Sequence, residues 1–204
     1  SMDFDVVVVG GGSAGYSAAS TAQSLGARVA IIDPGPLGGL CILRGCMPTK
    51  AILRSSDIMA LMHRAEEFGL QPVQAQAHLP AINDRKNKLI QEFADYRIEQ
   101  LNDSRFTLIQ ERAEFISPHE IRVGNRTLKA KSFIIATGSV VADFPIPGLQ
   151  ETGFITSDDV LQMRQAPESI IVLGAGAVAV ELAQFLLRIG VKTTLLQRSP
   201  HILS

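Results

Sequence analysis

The stretch Phe4-Asp5-Val6-Val7-Val8-Val9-Gly10-Gly11-Gly12-Ser13-Ala14-Gly15 decides how this chain begins to fold. Phe4 to Val9 is a continuous, mostly β-branched run, the mark of a strand buried on both faces of a parallel sheet. From Gly15 to Leu25, small and apolar residues recur at helical spacing and Gly26 supplies the stop. Ala27 to Ile32 reads as a second strand, ending at Asp33. The whole is a β-α-β unit with G-x-G-x-x-G at Gly10, Gly12 and Gly15. In such a unit Gly10 permits the tight turn, Gly12 lets the backbone approach a pyrophosphate, and Gly15 lets helix and strand pack closely. The helix N-terminal amides, here those of Ser13 and Ala14, face the phosphates. Asp33 lies 21 residues after Gly12, where a carboxylate hydrogen-bonds a ribose hydroxyl. A glycine-rich turn alone signifies only a tight turn; with both strands, the helix and the acid in register, it predicts a bound dinucleotide.

A second unit of this kind follows 164 residues later (174 minus 10). Ser169 to Leu173 is an apolar strand, Gly174-Ala175-Gly176-Ala177-Val178-Ala179 is the turn, and a helix runs through Glu181 to Arg188. Gly190 and the strand Lys192 to Leu196 close it. Ala179 stands at the third glycine position, a substitution the pattern tolerates. At the end of the second strand Gln197 replaces the acid that favours an unphosphorylated ribose, and Arg198 follows. The pair removes a charge that would repel a 2′-phosphate, which tilts the expectation slightly from NAD toward NADP, although Arg198 also reads as a solvated surface residue.

Between the two units, Lys50 to His63 reads as a helix. Asp84 to Asn102 reads as a longer amphipathic one, with Leu89, Ile90, Phe93, Ile98 and Leu101 on its apolar side and a solvated charged face. Short strands are expected at Phe106–Ile109, Glu111–Ile116, Glu120–Val123 and Thr127–Ala130, with turns at Ser117-Pro118 and Gly124-Asn125. A buried strand Phe133–Ala136 leads to Thr137-Gly138-Ser139, and Pro145-Ile146-Pro147-Gly148 reads as a connector.

Composition narrows the partners. At 204 residues and 46% apolar content the chain can bury one large core or two smaller ones. A net charge of −1 with mixed signs gives no basic footprint, so nucleic acid is excluded as an expectation. The acidic start Met2-Asp3-Phe4-Asp5 lacks the features of a signal peptide, and no apolar stretch approaches the roughly 18 residues of a membrane span. A cytoplasmic protein without membrane association is expected.

Cys41 and Cys46, the only cysteines, lie in Gly38-Gly39-Leu40-Cys41-Ile42-Leu43-Arg44-Gly45-Cys46-Met47-Pro48-Thr49-Lys50, directly after the first unit. The placement suggests a redox pair beside a cofactor. On spacing alone, two buried thiols acting as small hydrophobes are an equal alternative. A zinc site lacks the two further ligands it requires, and no metal is expected.

Five ordered motifs resemble the pyridine nucleotide-disulfide oxidoreductases, the family of dihydrolipoamide dehydrogenase, glutathione reductase and mercuric reductase. They are the first glycine turn, the cysteine motif over residues 38–50, Ile134-Ile135-Ala136-Thr137-Gly138-Ser139, Pro145-Ile146-Pro147-Gly148, and the second glycine turn within residues 172–183. The resemblance implies an α/β fold. A three-layer Rossmann-like FAD-binding domain with a small antiparallel β insertion would span residues 1–148, and a Rossmann-like NAD(P)-binding domain would start over residues 149–204. It implies that a nicotinamide cofactor, NAD or NADP, delivers hydride to FAD, and that electrons pass to a Cys41–Cys46 disulfide and on to a small-molecule disulfide or related thiol-reactive substrate. Cys46 would be the thiol against the flavin, in the charge-transfer pair, and Cys41 the interchange thiol; Lys50 would be the cation near the flavin. Gly39, Ala113, Thr137 and Gly138 would join the FAD site, and Gly174, Gly176, Glu181, Gln197 and Arg198 the second nucleotide site.

The chain also departs from the pattern. Leu40 replaces the usual Thr before the first cysteine, and Ile42-Leu43-Arg44 replaces a segment that commonly contains Asn. Family members are about twice as long, form homodimers, and supply a His-Glu acid-base pair across the dimer that none of His63, His78, His119 and His201 matches. The chain is therefore expected to be the amino-terminal portion of such an enzyme, inactive by itself. A flavoprotein oxidase or transhydrogenase on the same scaffold and a non-enzymatic nucleotide-binding fragment are the alternatives.

Overall fold

In the computed structural model, which describes residues 2–142 and 144–203, the chain forms two compact units. One comprises Ser1–Gly45 with Ile90–Val140, the other Cys46–Leu89 with Val141–Ser204.

The first unit is built on the β-α-β element at its start. Strand β1 (Phe4–Val9) is joined by helix α1 (Ser13–Ser24) to β2 (Val29–Ile32), which runs parallel to it in the register Val6↔Val29 to Val9↔Ile32. Helix α1 starts without a side-chain cap and stops at Gly26, whose φ of +87° a side chain would strain and whose N–H donates to Gln23 O at 2.9 Å. The next elements by sequence are α2 (Gly39–Arg44), α3 (Cys46–His63), a 3-10 turn at Ala65–Phe68 and α4 (Leu79–Leu101). Then come β3 (Thr107–Ile109), β4 (Ala113–Ser117), β5 (Glu120–Val123) and β6 (Arg126–Ile135). The six strands form one sheet in the order β3-β2-β1-β6-β5-β4, parallel from β3 to β6 and antiparallel from β6 to β4.

Alternation along β1 and β2 gives that sheet two buried faces. Val7, Ala30 and Ile32 point to a cluster with Ile109, Ile121, Val123 and Ala130, the side covered by the meander. Val8, Val29 and Ile31 point to Ala19 of α1 and Leu101 of α4. The result is helices, parallel sheet and antiparallel insertion in three layers, the expected Rossmann-like fold.

Two elements differ from the sequence reading. The strands expected at Thr127–Ala130 and Phe133–Ala136 are one ten-residue strand, β6. Its first part pairs antiparallel with β5 over Arg126–Lys129 and its second part parallel with β1 from Ala130 onward. The polar Lys131-Ser132 step that suggested a break is the place where β6 changes partners. Helix α4 starts five residues before the expected Asp84, and its inward face keeps the expected Leu101, Ile98, Leu89 and Ile90 but not Phe93. Leu79, Asn83, Lys86, Ala94 and Leu101 are buried, whereas Phe93 is 45% exposed. The face read as wholly solvated thus holds a lysine that is 1% exposed. Helices α2, α5 (Leu149–Thr152) and α6 (Ser157–Gln162) had no expected counterpart.

In the second unit β7 (Ser169–Leu173), α7 (Ala177–Arg188) and β8 (Lys192–Leu196) repeat the first arrangement, with β7 and β8 parallel. Leu182, Phe185 and Leu186 of α7 pack on Ile52 of α3 and on Val160 and Leu161 of α6. Thr156 caps α6 through a reciprocal box with Asp159. At its other end α6 is held by α4: Lys86 Nζ donates to Leu161 O, Asn83 Nδ2 donates to Met163 O, and Arg164 pairs with Asp84 at 2.7 Å. No helix among the described residues is long and apolar enough to cross a membrane.

Candidate functional site

In the first unit the carboxyl ends of β1, β2 and β6 meet at the glycine turn. Gly10 N donates to Ile32 O at 2.8 Å and Ala136 N to Val9 O at 2.8 Å. Two of the three motif glycines are required by this packing. Gly10 has φ +108° and an added Cβ would lie 2.2 Å from Ala136 O; at Gly15 it would lie 1.7 Å from Gly10 O. Gly12 is different. Its backbone is extended (φ −72°, ψ −166°), and a Cβ there would meet only Gly39 Cα, at 3.5 Å. The fold could carry a side chain at Gly12. Leaving it bare opens the turn to a ligand beside the exposed residues Ser13 and Ala14, whose first-turn amides no side chain caps. That bare cradle fits a dinucleotide pyrophosphate.

Asp33 follows β2 and is held on both oxygens. Its Oδ2 accepts from Gly11 N at 2.7 Å and its Oδ1 from Gly35 N at 2.8 Å. A carboxylate oxygen has a second lone pair to offer, so both oxygens can still meet ribose hydroxyls. Thr137 and Gly138 lie in the exposed turn after β6, and the Thr137 N is 3.2 Å from where a Gly10 Cβ would be. Ala113 opens β4 and packs on the meander side of the sheet.

The cysteine segment starts on the same turn. Gly39 has φ +76°, and a Cβ there would lie 2.4 Å from Gly12 Cα, so the two backbones are in contact. Cys41 follows two residues on, half-buried in α2. Gly45 ends that helix at a point where a Cβ would be 2.8 Å from Leu40 O. Cys46 begins α3 in the second unit and is exposed.

In the second unit, Lys50 of α3 and Glu181 of α7 form an ion pair, Nζ donating to Oε1. Arg188 and Asp57 join the same two helices through a second pair. The structure thus brings together two residues chosen separately from the sequence. Gly174 (φ +101°) and Gly176 have nothing within 4 Å of an added Cβ, and α7 too starts without a side-chain cap. The second turn is as open as the first at Gly12. Gln197 is half-buried and turned inward on its own loop, its Nε2 donating to Ser199 Oγ at 3.0 Å and to His201 O at 3.2 Å. Arg198 beside it is exposed.

Three residues of these regions escaped the sequence reading. Gly11, whose amide holds Asp33, was hidden between two more conspicuous glycines. Arg97 of α4 donates from Nη1 to Gly12 O at 3.4 Å and lies over the Tyr16 ring at 4.5 Å. Lys86 is buried against α6, and burial pushes its ammonium below the ordinary lysine value. For the last two the available signal was position, since 86, 90, 94, 97 and 101 follow helical spacing along one face.

The profile of the pyridine nucleotide-disulphide oxidoreductase family matches residues 4–204. Mercuric reductase from Staphylococcus aureus is 35% identical over 201 residues, covering 98% of this chain and 37% of that protein. Dihydrolipoyl dehydrogenase from Bacillus subtilis (strain 168) is 32% identical over 216 residues, covering 98% and 45%. The Cu(II) complex of the HOCl-induced flavoprotein disulfide reductase RclA from Escherichia coli superposes with a TM-score of 0.81 at 28% identity, over 98% of this chain and 43% of that one. The chain spans less than half the length of each of these relatives. A match over nearly every residue, with two open dinucleotide turns and a cysteine motif resting on the first, establishes that the chain belongs to the pyridine nucleotide-disulphide oxidoreductase family, whose members use FAD and NAD(P)H.

Proposed function

We propose that the protein carrying this chain is a homodimeric disulfide oxidoreductase with Cys41 and Cys46 as its redox pair, residues 1–148 contributing to the FAD domain and residues 149–204 opening the NAD(P) domain. FAD, when bound, relays an electron pair from NAD(P)H to the disulfide between the two cysteines. Two electrons and two protons convert that disulfide to two thiols. Cys41, as thiolate, then attacks one sulfur of the substrate disulfide and expels the other as a thiolate that takes up a proton. Cys46 attacks the Cys41 sulfur in turn, releasing the second substrate thiol and restoring the internal disulfide. Lys50, held by Glu181, supplies a fixed cation near the start of the Cys46 helix. The observation that supports this reading is the Gly12–Gly39 backbone contact, which sets the helix carrying Cys41 directly on the glycine turn of the first unit.

The likeness to mercuric reductase and to a reductase solved with Cu(II) favours a second substrate class, a thiophilic metal ion bound by the reduced thiols. Steady-state oxidation of NADH and NADPH by the whole protein, with FAD and with lipoamide, glutathione disulfide, mercuric ion or Cu(II) as acceptor, separates the two. Turnover with a disulfide, lost in Cys41→Ser, is expected; turnover with metal ions alone would replace the disulfide reading. Undiminished oxidase activity in Cys41→Ser and Cys46→Ser, with oxygen as acceptor, would replace both. The 204-residue chain alone is expected to give no turnover in the same assay.

A further inference from the structure

We propose that Arg97 is a cofactor-binding residue, its guanidinium lying close enough to the first glycine turn to attract the pyrophosphate of the dinucleotide bound there; this rests on the reading of that turn as the FAD site. Arg97 stands on the stripe of α4 that also holds Ala94 and Leu101, both buried, and it is half-buried itself. A long cation on an inward-facing stripe of a helix requires a partner. Its contacts are all neutral. Nε donates to Gln100 Oε1 at 3.0 Å, Nη1 donates to Gly12 O at 3.4 Å, and the guanidinium carbon lies over the Tyr16 ring, 4.5 Å from its centroid. Arg97 takes part in none of the ion pairs formed among the described residues.

The three contacts fix where the charge sits. Tyr16 belongs to the first turn of α1 and Gly12 precedes that helix, so Arg97 is attached to the element whose amides face the phosphates. A cation held over a ring and hydrogen-bonded at two nitrogens has few positions left, and little further ordering accompanies ligand binding. The turn itself offers partial positive charge from the helix N-terminus, and Arg97 adds a full one beside it. A diphosphate carries the complementary charge.

The test is the dissociation constant of FAD for the chain without substrate, read from flavin fluorescence, for the wild type, Arg97→Met, Arg97→Lys and Gln100→Glu. ADP and adenosine serve as probes with and without the diphosphate. Arg97→Met is expected to weaken FAD and ADP on the order of tenfold, about 1.4 kcal/mol, to leave adenosine within twofold, and to flatten the salt dependence of FAD binding. Arg97→Lys should retain most of the affinity and the salt dependence. Gln100→Glu places a carboxylate on the Nε partner and neutralises the charge without touching Arg97, so it should also weaken FAD severalfold even if Arg97→Met does not fold. FAD affinity within twofold of wild type in Arg97→Met or in Gln100→Glu overturns the inference, as does an equal loss for adenosine. A wild-type chain that binds neither FAD nor ADP overturns the FAD reading itself.

Discussion

Gly12→Ala separates the requirements of the fold from those of the ligand. The backbone at Gly12 is extended, and the new methyl would rest 3.5 Å from Gly39 Cα, an ordinary contact. Alanine is a poorer N-cap than glycine by roughly 0.5–1 kcal/mol, and the lost freedom of the unfolded chain returns about 0.4–1 kcal/mol. The apo protein should therefore change by under ~1 kcal/mol, a melting shift of at most ~4 °C for a chain of this size. The ligand should respond far more strongly. A phosphate oxygen approaches an amide nitrogen to about 2.9 Å, and a methyl group on the turn displaces it. Losing two charge-assisted hydrogen bonds at ~1.5 kcal/mol each weakens FAD by about a hundredfold or more. Gly15→Ala is the counterpart. Its methyl would lie 1.7 Å from Gly10 O, so backbone must move by more than an ångström. The ~1 kcal/mol gained from helix propensity does not offset an overpacking cost of up to ~3 kcal/mol or more. Urea unfolding of the apo variants, with FAD fluorescence titration of each, reads both quantities. Equal destabilisation by the two substitutions, or full FAD affinity in Gly12→Ala, would refute the reasoning.

Three further outcomes are expected. The buried Lys86 holds its proton less tightly when folded than when unfolded, so between its lowered folded pKa and its ordinary value of 10.5 the unfolded chain binds more protons and stability rises with pH. Measured by urea unfolding from pH 7 upward, the stability of wild type relative to Lys86→Met should climb toward pH 10.5; a flat difference would contradict the burial argument. In the whole protein, Cys41→Ser should keep the long-wavelength absorption of a thiolate beside the flavin and Cys46→Ser should lose it; the reverse pattern would exchange their roles. Gln197→Glu should shift the NADP-to-NAD ratio of kcat/KM toward NAD by adding a charge against a 2′-phosphate, and an unchanged ratio would remove Gln197 from the specificity site.

The two β-α-β units were legible because each couples an apolar strand to glycines whose positions have backbone consequences. Gly10 and Gly15 are packed too closely for a side chain, and Asp33 follows β2 beside the first turn. What escaped was decided by tertiary partners. Nothing local reveals that β6 serves two neighbours, since Lys131 and Ser132 look like a break. Asn83, Lys86 and Arg97 look like parts of a solvated face until α6 and the glycine turn stand against them. Helix α2 was missed because Gly39-Leu40-Cys41-Ile42-Leu43-Arg44 is too short to show a period, and its start is set by contact with Gly12. The Lys50–Glu181 pair joins residues 131 apart in sequence, a distance over which only the resemblance had linked them to related roles.

The two amides that grip Asp33 have a consequence for how one chain handles two similar ligands. A carboxylate held on both oxygens cannot swing away from an incoming ribose. A dinucleotide with a phosphate on that ribose would meet fixed negative charge at the first turn, whereas at the second it would meet Gln197 and the exposed Arg198. Sorting of a phosphorylated nicotinamide dinucleotide from the flavin's seat would then be electrostatic, immediate on encounter, and progressively lost as salt screens it.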